Sequence, residues 1–385
     1  MSSEKEPTRP AAGSAEADDR VSQRIYREDA IAALLSVTVV GGLFLDGWNH
    51  LNLQNGRLGS FFTPWHGLLY AGFSANAMWV IYQNQHLWRA DIPENPAFHR
   101  VGRYRLRYPF AMAGLLAVLA GMVGDLVWHT LFGEETNVAR VIAPFHILLF
   151  LGAVLLIAAP LRSAWYAPFA YPRKITFVRL FPVVLAIALL TAAASFMLQW
   201  ISPFMEWTAS TPRSLDIVPP DGAAGLQTIM AARIVLANVV FVTPILLVMR
   251  RWSLPFGTAT TSFGVAALAM SALTSFDLVT TCLAAVLGGA ATDLVIRATE
   301  RRPVAAGMFA VALIAPAACW PLYFLLLREA YGADWPVDFY LGVSSAAALI
   351  GLVLAFFVGL VVPDDVGVPA RQTNVTDRPS KPRMP

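Results

Sequence analysis

The sequence predicts an all-α integral membrane protein with about ten transmembrane helices. Of its 385 residues, 57% are hydrophobic and only 14% are charged, whereas soluble globular domains carry about 25% charged residues. The apolar residues form continuous runs of about 20 residues, the length that a helix needs to cross a bilayer. They do not alternate with polar residues as the strands of a membrane barrel do. The composition therefore indicates a helical protein whose main partner is the lipid bilayer.

Ten apolar runs follow one another along the chain, separated by polar links. The predicted spans are 29–49, 65–84, 109–131, 141–160, 177–201, 224–249, 258–276, 279–297, 303–328 and 337–362. The polar composition of residues 1–28 and 363–385 predicts disordered termini. We expect residues 29–160 to form one unit and residues 177–362 to form a six-helix supporting unit.

The basic residues predict the orientation of these spans. Clusters of arginine and lysine lie in the N-terminal segment, in alternate links and in the C-terminal tail, including 100–107, 173–174, 250–251 and 301–302. The remaining links hold few basic residues. We expect the chain to lie in the inner, or plasma, membrane of the cell. The positive-inside rule then predicts that both termini are cytoplasmic. The link 86–108, which is rich in arginine, predicts a surface for anionic lipids.

A pattern that occurs twice predicts the functional site. Pro64 to Gly72 and Pro144 to Gly152 share the order Pro-aromatic-His-x-Leu-Leu-aromatic-x-Gly, and an Asp-x-x-x-His precedes each copy. Four of the six histidines of the chain lie in these two copies or in the Asp-x-x-x-His that precedes each of them. The candidate ligands are Asp46, His50 and His66 in the first copy, and Asp125, His129 and His146 in the second.

The two copies predict two parallel helical hairpins that arose from one duplicated unit. Asp and His four residues apart share one face of a helix. All six side chains are expected in the extracytoplasmic half of the membrane, as one dinuclear or two mononuclear sites. The second hairpin also has Glu134 and Glu135 in its outer link, which could act as extra ligands or hydrogen-bond to ligands.

Several functions are compatible with this duplicated pattern of aspartates and histidines. Two imidazoles and a carboxylate suit a transition metal, with copper favoured and iron or zinc as alternatives. The same residues could instead form a buried Asp-His relay for protons or ions in a secondary transporter. A third interpretation is a scaffold or assembly factor of a membrane complex, in which these side chains are structural.

The Asp-x-x-x-His followed by a second histidine resembles the copper site in the membrane C subunit of particulate methane and ammonia monooxygenases. The matching positions are Asp46, His50 and His66, and again Asp125, His129 and His146. The spacing to the second histidine is longer here, and the motif is duplicated. The resemblance implies copper and a metal-dependent oxidoreductase role.

Two other features of the sequence lead to predictions. Asp293 and Arg297 are four residues apart and predict an ion pair within one helix, and Gly288-Gly289 predicts close helix packing. The sequence has no phosphate-binding loop and no feature of a nucleic-acid-binding protein.

Overall fold

The computed structural model describes residues 12–53, 63–85, 99–101, 104–133, 137–205 and 220–360. The fold is helical, with one short antiparallel ribbon. The elements, in chain order, are α1 (Ala12–Asn52), α2 (Pro64–Gln83), β1 (His99–Val101), β2 (Tyr104–Leu106), α3 (Pro109–Phe132), α4 (Asn137–Ile142), α5 (Pro144–Ile157), α6 (Ala159–Trp165), α7 (Phe177–Met197), α8 (Pro220–Met249), α9 (Thr258–Ala272), α10 (Cys282–Ala298), α11 (Val304–Tyr331) and α12 (Val337–Leu360).

A helix is present at each of the ten predicted positions. Among the described residues, seven helices are long and apolar enough to cross a membrane, or eight if α5 and α6, which meet at a 43° bend, count as one span. Neither α2 nor the 15-residue α9 is among them. The chain is thus a polytopic membrane protein, and the total of ten spans stays a prediction.

The first helix begins earlier than the composition predicted. Residues 12–28 belong to α1, so the prediction of disorder does not hold for them. Their charged side chains pair along the helix, as Arg24 does with Glu28 at 2.8 Å, and Ile25 is completely buried. The rest of the predicted N-terminal segment and all of 363–385 lie outside the described residues.

A buried polar network joins α1 to the start of α3 and to α6. The guanidinium of Arg107 donates to Glu28, Asp29 and Ser163 at 3.1, 2.9 and 2.7 Å. The hydroxyl of Tyr171 also donates to Asp29, at 3.0 Å. Burial and the Asp29 carboxylate raise the pKa of Tyr171, so its phenol remains a donor. Arg107 is only 1% exposed, so the prediction that it belongs to a lipid-binding surface is wrong. The two buried carboxylates hold it inside.

Asp293 also has a different role from the predicted one. Its carboxylate accepts hydrogen bonds from the backbone N–H groups of Gly257, Ala259 and Thr260 at 2.9–3.0 Å. It therefore caps the start of α9, where free N–H groups attract an anion, and the predicted pairing with Arg297 is wrong. The close packing at Gly288 and Gly289 is confirmed, because a Cβ there would lie 2.7 Å from Cys319 and 2.6 Å from Thr260.

The end of α1 that carries Asp46 and His50 packs against α7 and against the link that follows α9. The indole of Trp48 donates to the hydroxyl of Ser275 at 3.0 Å, and the amide of Asn52 donates to the carbonyl of Leu273 at 2.9 Å. The rings of Phe44 and Phe196 meet edge to face at 5.2 Å. These contacts hold the first hairpin against α7 and the end of α9.

Candidate metal centres

The first three candidate ligands converge at one end of the α1–α2 hairpin. Asp46 and His50 lie one turn apart on α1. His66 is the third residue of α2, behind Pro64 and the capping residue Thr63, whose hydroxyl accepts from the His66 N–H at 3.1 Å. Oδ2 of Asp46 lies 3.5 Å from Nε2 of His50 and 3.2 Å from Nε2 of His66. We call Asp46, His50 and His66 the first triad.

The α3–α5 hairpin builds the same arrangement. His146 is the third residue of α5, which also begins with a proline. Oδ1 of Asp125 lies 3.3 Å from Nε2 of His129 and 3.1 Å from Nε2 of His146. We call Asp125, His129 and His146 the second triad.

The two hairpins pack alike at matching positions. The imidazole rings of each triad meet at the same interplanar angle, 53°, with centroids 5.4 Å apart in the first and 5.8 Å apart in the second. Gly42 packs on Leu69 in the first hairpin, and Gly121 packs on Leu149 in the second. Gly72 and Gly152 likewise lie against Val39 and Val118. Such close helix approach needs glycine, and it sets the distance between each carboxylate and the histidine opposite.

Each triad has the dimensions of a metal site. One ligand atom from each of its three residues lies within 4.8 Å of the other two, so either triad could hold a metal ion. With metal–ligand bonds of about 2.1 Å, neighbouring ligand atoms are separated by about 3.0 Å in octahedral and about 3.4 Å in tetrahedral geometry. Three of the four carboxylate–imidazole distances, 3.1–3.3 Å, fall in this range, and the fourth, between Asp46 and His50, is 3.5 Å.

The carboxylates are buried, and imidazole nitrogens are their nearest polar neighbours. Asp46 and Asp125 are 8% and 4% exposed. Within the described residues, Oδ1 of each has no hydrogen-bond partner, although two imidazole nitrogens lie near Oδ1 of Asp125. Those nitrogens lie 3.3 and 3.1 Å from the oxygen, and each donates to it only where it carries a proton. A buried carboxylate in apolar surroundings needs a compensating positive charge.

The end of α3 determines the tautomer of His129. Its Nδ1 lies 3.2 Å from the carbonyl oxygen of Gly133, and because a carbonyl only accepts, Nδ1 must carry the proton. In neutral imidazole, Nε2 then presents a lone pair toward Asp125. Two lone pairs facing each other repel unless a cation lies between them, either a metal ion or a second proton on the imidazole. Orientation of a ligating histidine by a backbone carbonyl is common in metal sites.

Tyr70 is a residue that the sequence analysis missed. Its ring stacks on His66 with centroids 6.0 Å apart, and its hydroxyl interacts electrostatically with both Asp46 and Asp125. Tyr70 thus adjoins the first triad and lies close enough to both aspartates to interact with their charges. The equivalent position of the second copy is Phe150, and this loss of a hydroxyl from an otherwise matched pattern was the available signal.

The structure thus brings the six predicted ligands together as two groups of three. Glu134 and Glu135, predicted as further ligands or hydrogen-bond partners, lie outside the described residues. Comparisons of the chain with protein-family models, with curated proteins and with solved structures found no match.

Proposed function

We propose that this chain is a membrane metalloprotein with two mononuclear transition-metal centres, one in each triad. The observation that carries the proposal is the convergence of a buried carboxylate oxygen and two imidazole nitrogens at ligand spacing, twice. Coordination supplies positive charge beside each buried aspartate, which a carboxylate in apolar surroundings requires. It also accounts for a lone pair of His129 that faces another acceptor.

Copper is the metal that we propose. Two imidazoles and one carboxylate suit Cu(II), Fe(II) and Zn(II), and the resemblance to the C subunit of particulate methane and ammonia monooxygenases favours copper. A bound copper ion would supply redox chemistry. The protein residues hold it and leave coordination positions open, which serves oxidation of a small or lipidic substrate or the handling of the metal itself.

We further propose that both centres face the extracytoplasmic side. The basic links of the sequence support this orientation, and the triads lie at the ends of helices opposite to those links. The four histidine side chains are 17–27% exposed, so a metal ion can enter from that side while the aspartates stay buried.

Elemental analysis of the purified protein tests the proposal. After loading with copper and removal of excess ion, we expect two equivalents per chain. Asp46→Asn and Asp125→Asn should each retain one, and the double variant none, because an amide ligates weakly and leaves the histidines without a charged partner. Asp277→Asn, which changes an exposed carboxylate, is the matched control and should retain two.

Other outcomes would contradict the proposal. If the double variant binds as much copper as Asp277→Asn, the triads are not the centres. If the wild-type protein binds no copper, iron or zinc and instead moves protons in vesicles, the triads belong to a transporter.

A further inference from the structure

A cavity lies at the opposite end of the bundle from the triads. It has a volume of about 460 Å³ and is enclosed by the start of α7, the link from α8 to α9, the end of α10 and the start of α11. The distal end of α7 reaches Phe196, which touches Phe44 beside the first triad. The 21 residues of α7 therefore separate the cavity from the metal centres by about 30 Å.

The rim of this cavity is strongly basic. Four cationic side chains line it, from Arg173, Lys174, Arg297 and Arg302, against a single acidic one, Glu300. Glu300 lies 3.3 Å from Lys174 and neutralises only that cation. The other three line the same cavity from two parts of the chain, the link before α7 and the end of α10 with the link after it. They leave an excess of positive charge that favours binding of an anion.

The floor of the cavity is apolar. It consists of the buried side chains of Met249, Trp252, Leu254 and Ile296. Phe256 stands beside them with half of its surface exposed. A basic rim above an apolar floor matches a molecule with an anionic head and a hydrocarbon body, and fits a wholly polar anion less well.

The backbone around the cavity is fixed before any ligand binds. The N–H of Ser253 donates to the carbonyl of Arg173 at 2.9 Å, and the Arg173 side chain reaches the carbonyl of Arg250. Burial, and after it the cation of Arg173, lower the pKa of Arg251, which follows α8. Asp293 already caps α9, so that helix start does not compete for an anion.

We propose that this cavity binds the phosphate headgroup of an anionic phospholipid, with the apolar floor covering the glycerol and the first part of an acyl chain. Arg297 and Arg302 contact the phosphate, and Glu300 limits the affinity by holding Lys174. The position at the ends of four transmembrane helices places the cavity at the depth of lipid headgroups. The site is independent of the metal centres.

Native mass spectrometry of the full-length protein in detergent tests this proposal, with dioleoyl phosphatidylglycerol and dioleoyl phosphatidylcholine as probes. We expect phosphatidylglycerol to bind more tightly. The double variant Arg297→Gln/Arg302→Gln should weaken its binding about tenfold or more, because each surface cation contributes several-fold to the affinity for an anionic lipid. Glu300→Gln should strengthen binding, since it frees Lys174.

Arg301→Gln is the matched control, because Arg301 is an exposed neighbour of the same charge that does not line the cavity. It should bind like the wild type, and circular dichroism should show that all variants remain folded. Equal binding of the two lipids, or equal loss in Arg301→Gln and the double variant, would overturn the proposal. Displacement of the lipid by inorganic phosphate at similar concentration would instead assign the site to a soluble phosphate compound and overturn the lipid assignment.

Discussion

At the scale of single residues, the geometry of the second triad depends on one glycine. Gly133 ends α3 with φ +80° and ψ −175°, a backbone conformation that is essentially restricted to glycine. Its N–H donates to the carbonyl of His129 at 3.0 Å, and its own carbonyl accepts from the imidazole of the same residue. This closed pair of contacts holds His129 in the tautomer that ligation requires.

We therefore predict that Gly133→Ala weakens copper binding at the second triad about 10- to 100-fold, as loss of a hydrogen bond to a ligating histidine commonly does. The first triad should keep its affinity. Gly67→Ala is the control, because Gly67 adjoins His66 in a helix and a Cβ there meets nothing within 4 Å. Titration with copper, followed by electron paramagnetic resonance, measures the two affinities separately. An unchanged second affinity in Gly133→Ala would show that the carbonyl of Gly133 does not orient His129.

The residue scale also shows how far the sequence could predict the site. The grouping of the six candidate ligands was predictable because each set repeats at matched spacing, and a spacing of four on a helix fixes a shared face. The partners of Asp293 and Arg107 were not predictable. Asp293 meets N–H groups more than 30 positions away, and Arg107 meets Asp29 78 positions away, so that only tertiary packing brings these groups together.

Tyr70 gives a second residue-scale prediction, because it interacts with both aspartates while its counterpart is Phe150. We expect Tyr70→Phe to retain two copper equivalents and to make the ligand environments of the two centres more alike. The measurement is the difference between the two Cu(II) resonance signals, which should shrink. Phe150→Leu, which changes the matching position without a hydroxyl, is the control. A Tyr70→Phe protein with wild-type signals would show that the hydroxyl does not influence either centre.

At the scale of elements, the separation of the two helices in each hairpin sets the carboxylate–histidine distance. A Cβ on Gly42 would lie 2.7 Å from the Cα of Leu69, and Asp46 follows Gly42 by one turn.

The lengths of the helices were less predictable from the sequence than this packing. The span expected at 258–276 ends as α9 at Ala272, because Ser275 and Phe276 adopt positive φ values of 56° and 69°, and the Ser275 hydroxyl there holds Trp48.

Gly42→Ala should separate α1 from α2 and lower the free energy of unfolding by about 1–3 kcal/mol, the usual cost of overpacking. It should also reduce copper binding at the first triad and leave the second intact. Gly41→Ala is a matched control on the same helix, because a Cβ at Gly41 meets nothing within 4 Å. Thermal unfolding in detergent and copper stoichiometry provide the two readouts. Equal effects in both variants would mean that helix propensity, and not the approach of Leu69, causes the change.

At the scale of the whole molecule, polar clusters occupy both ends of an apolar bundle. The triads lie at one end, and the network around Asp29, which is completely buried, lies toward the other. The sequence predicted the overall helical architecture, since long apolar runs leave the backbone no other way to satisfy its hydrogen bonds in lipid. The sequence did not predict the buried network around Asp29, because a link rich in arginine by itself indicates an exposed surface for anionic lipids.

Removal of the Arg107 cation should destabilise the whole molecule, because it leaves Asp29 and Glu28 buried with negative charge. We expect Arg107→Met to lower the free energy of unfolding by about 3–5 kcal/mol. Adding Asp29→Asn should recover part of that loss. Arg328→Met, at an exposed ion pair, should cost less than about 1 kcal/mol. Denaturant or thermal unfolding of the three proteins gives the comparison, and a small effect of Arg107→Met would mean that water reaches the network.

The orientation of the bundle decides which compartment supplies the metal. If both termini are cytoplasmic, the partly exposed histidines of both triads face outward, and a membrane-impermeant copper chelator should strip the metal from right-side-out vesicles and leave it in inverted ones. Each aspartate is more deeply buried than its two histidines, and we expect the apolar length of the helices to separate the triads from the opposite membrane surface. Detergent should make the metal accessible in both preparations, which controls for chelator strength. Removal from inverted vesicles alone would reverse the orientation while leaving the ligand assignment intact, since the triads belong to one end of the bundle whichever side that end faces.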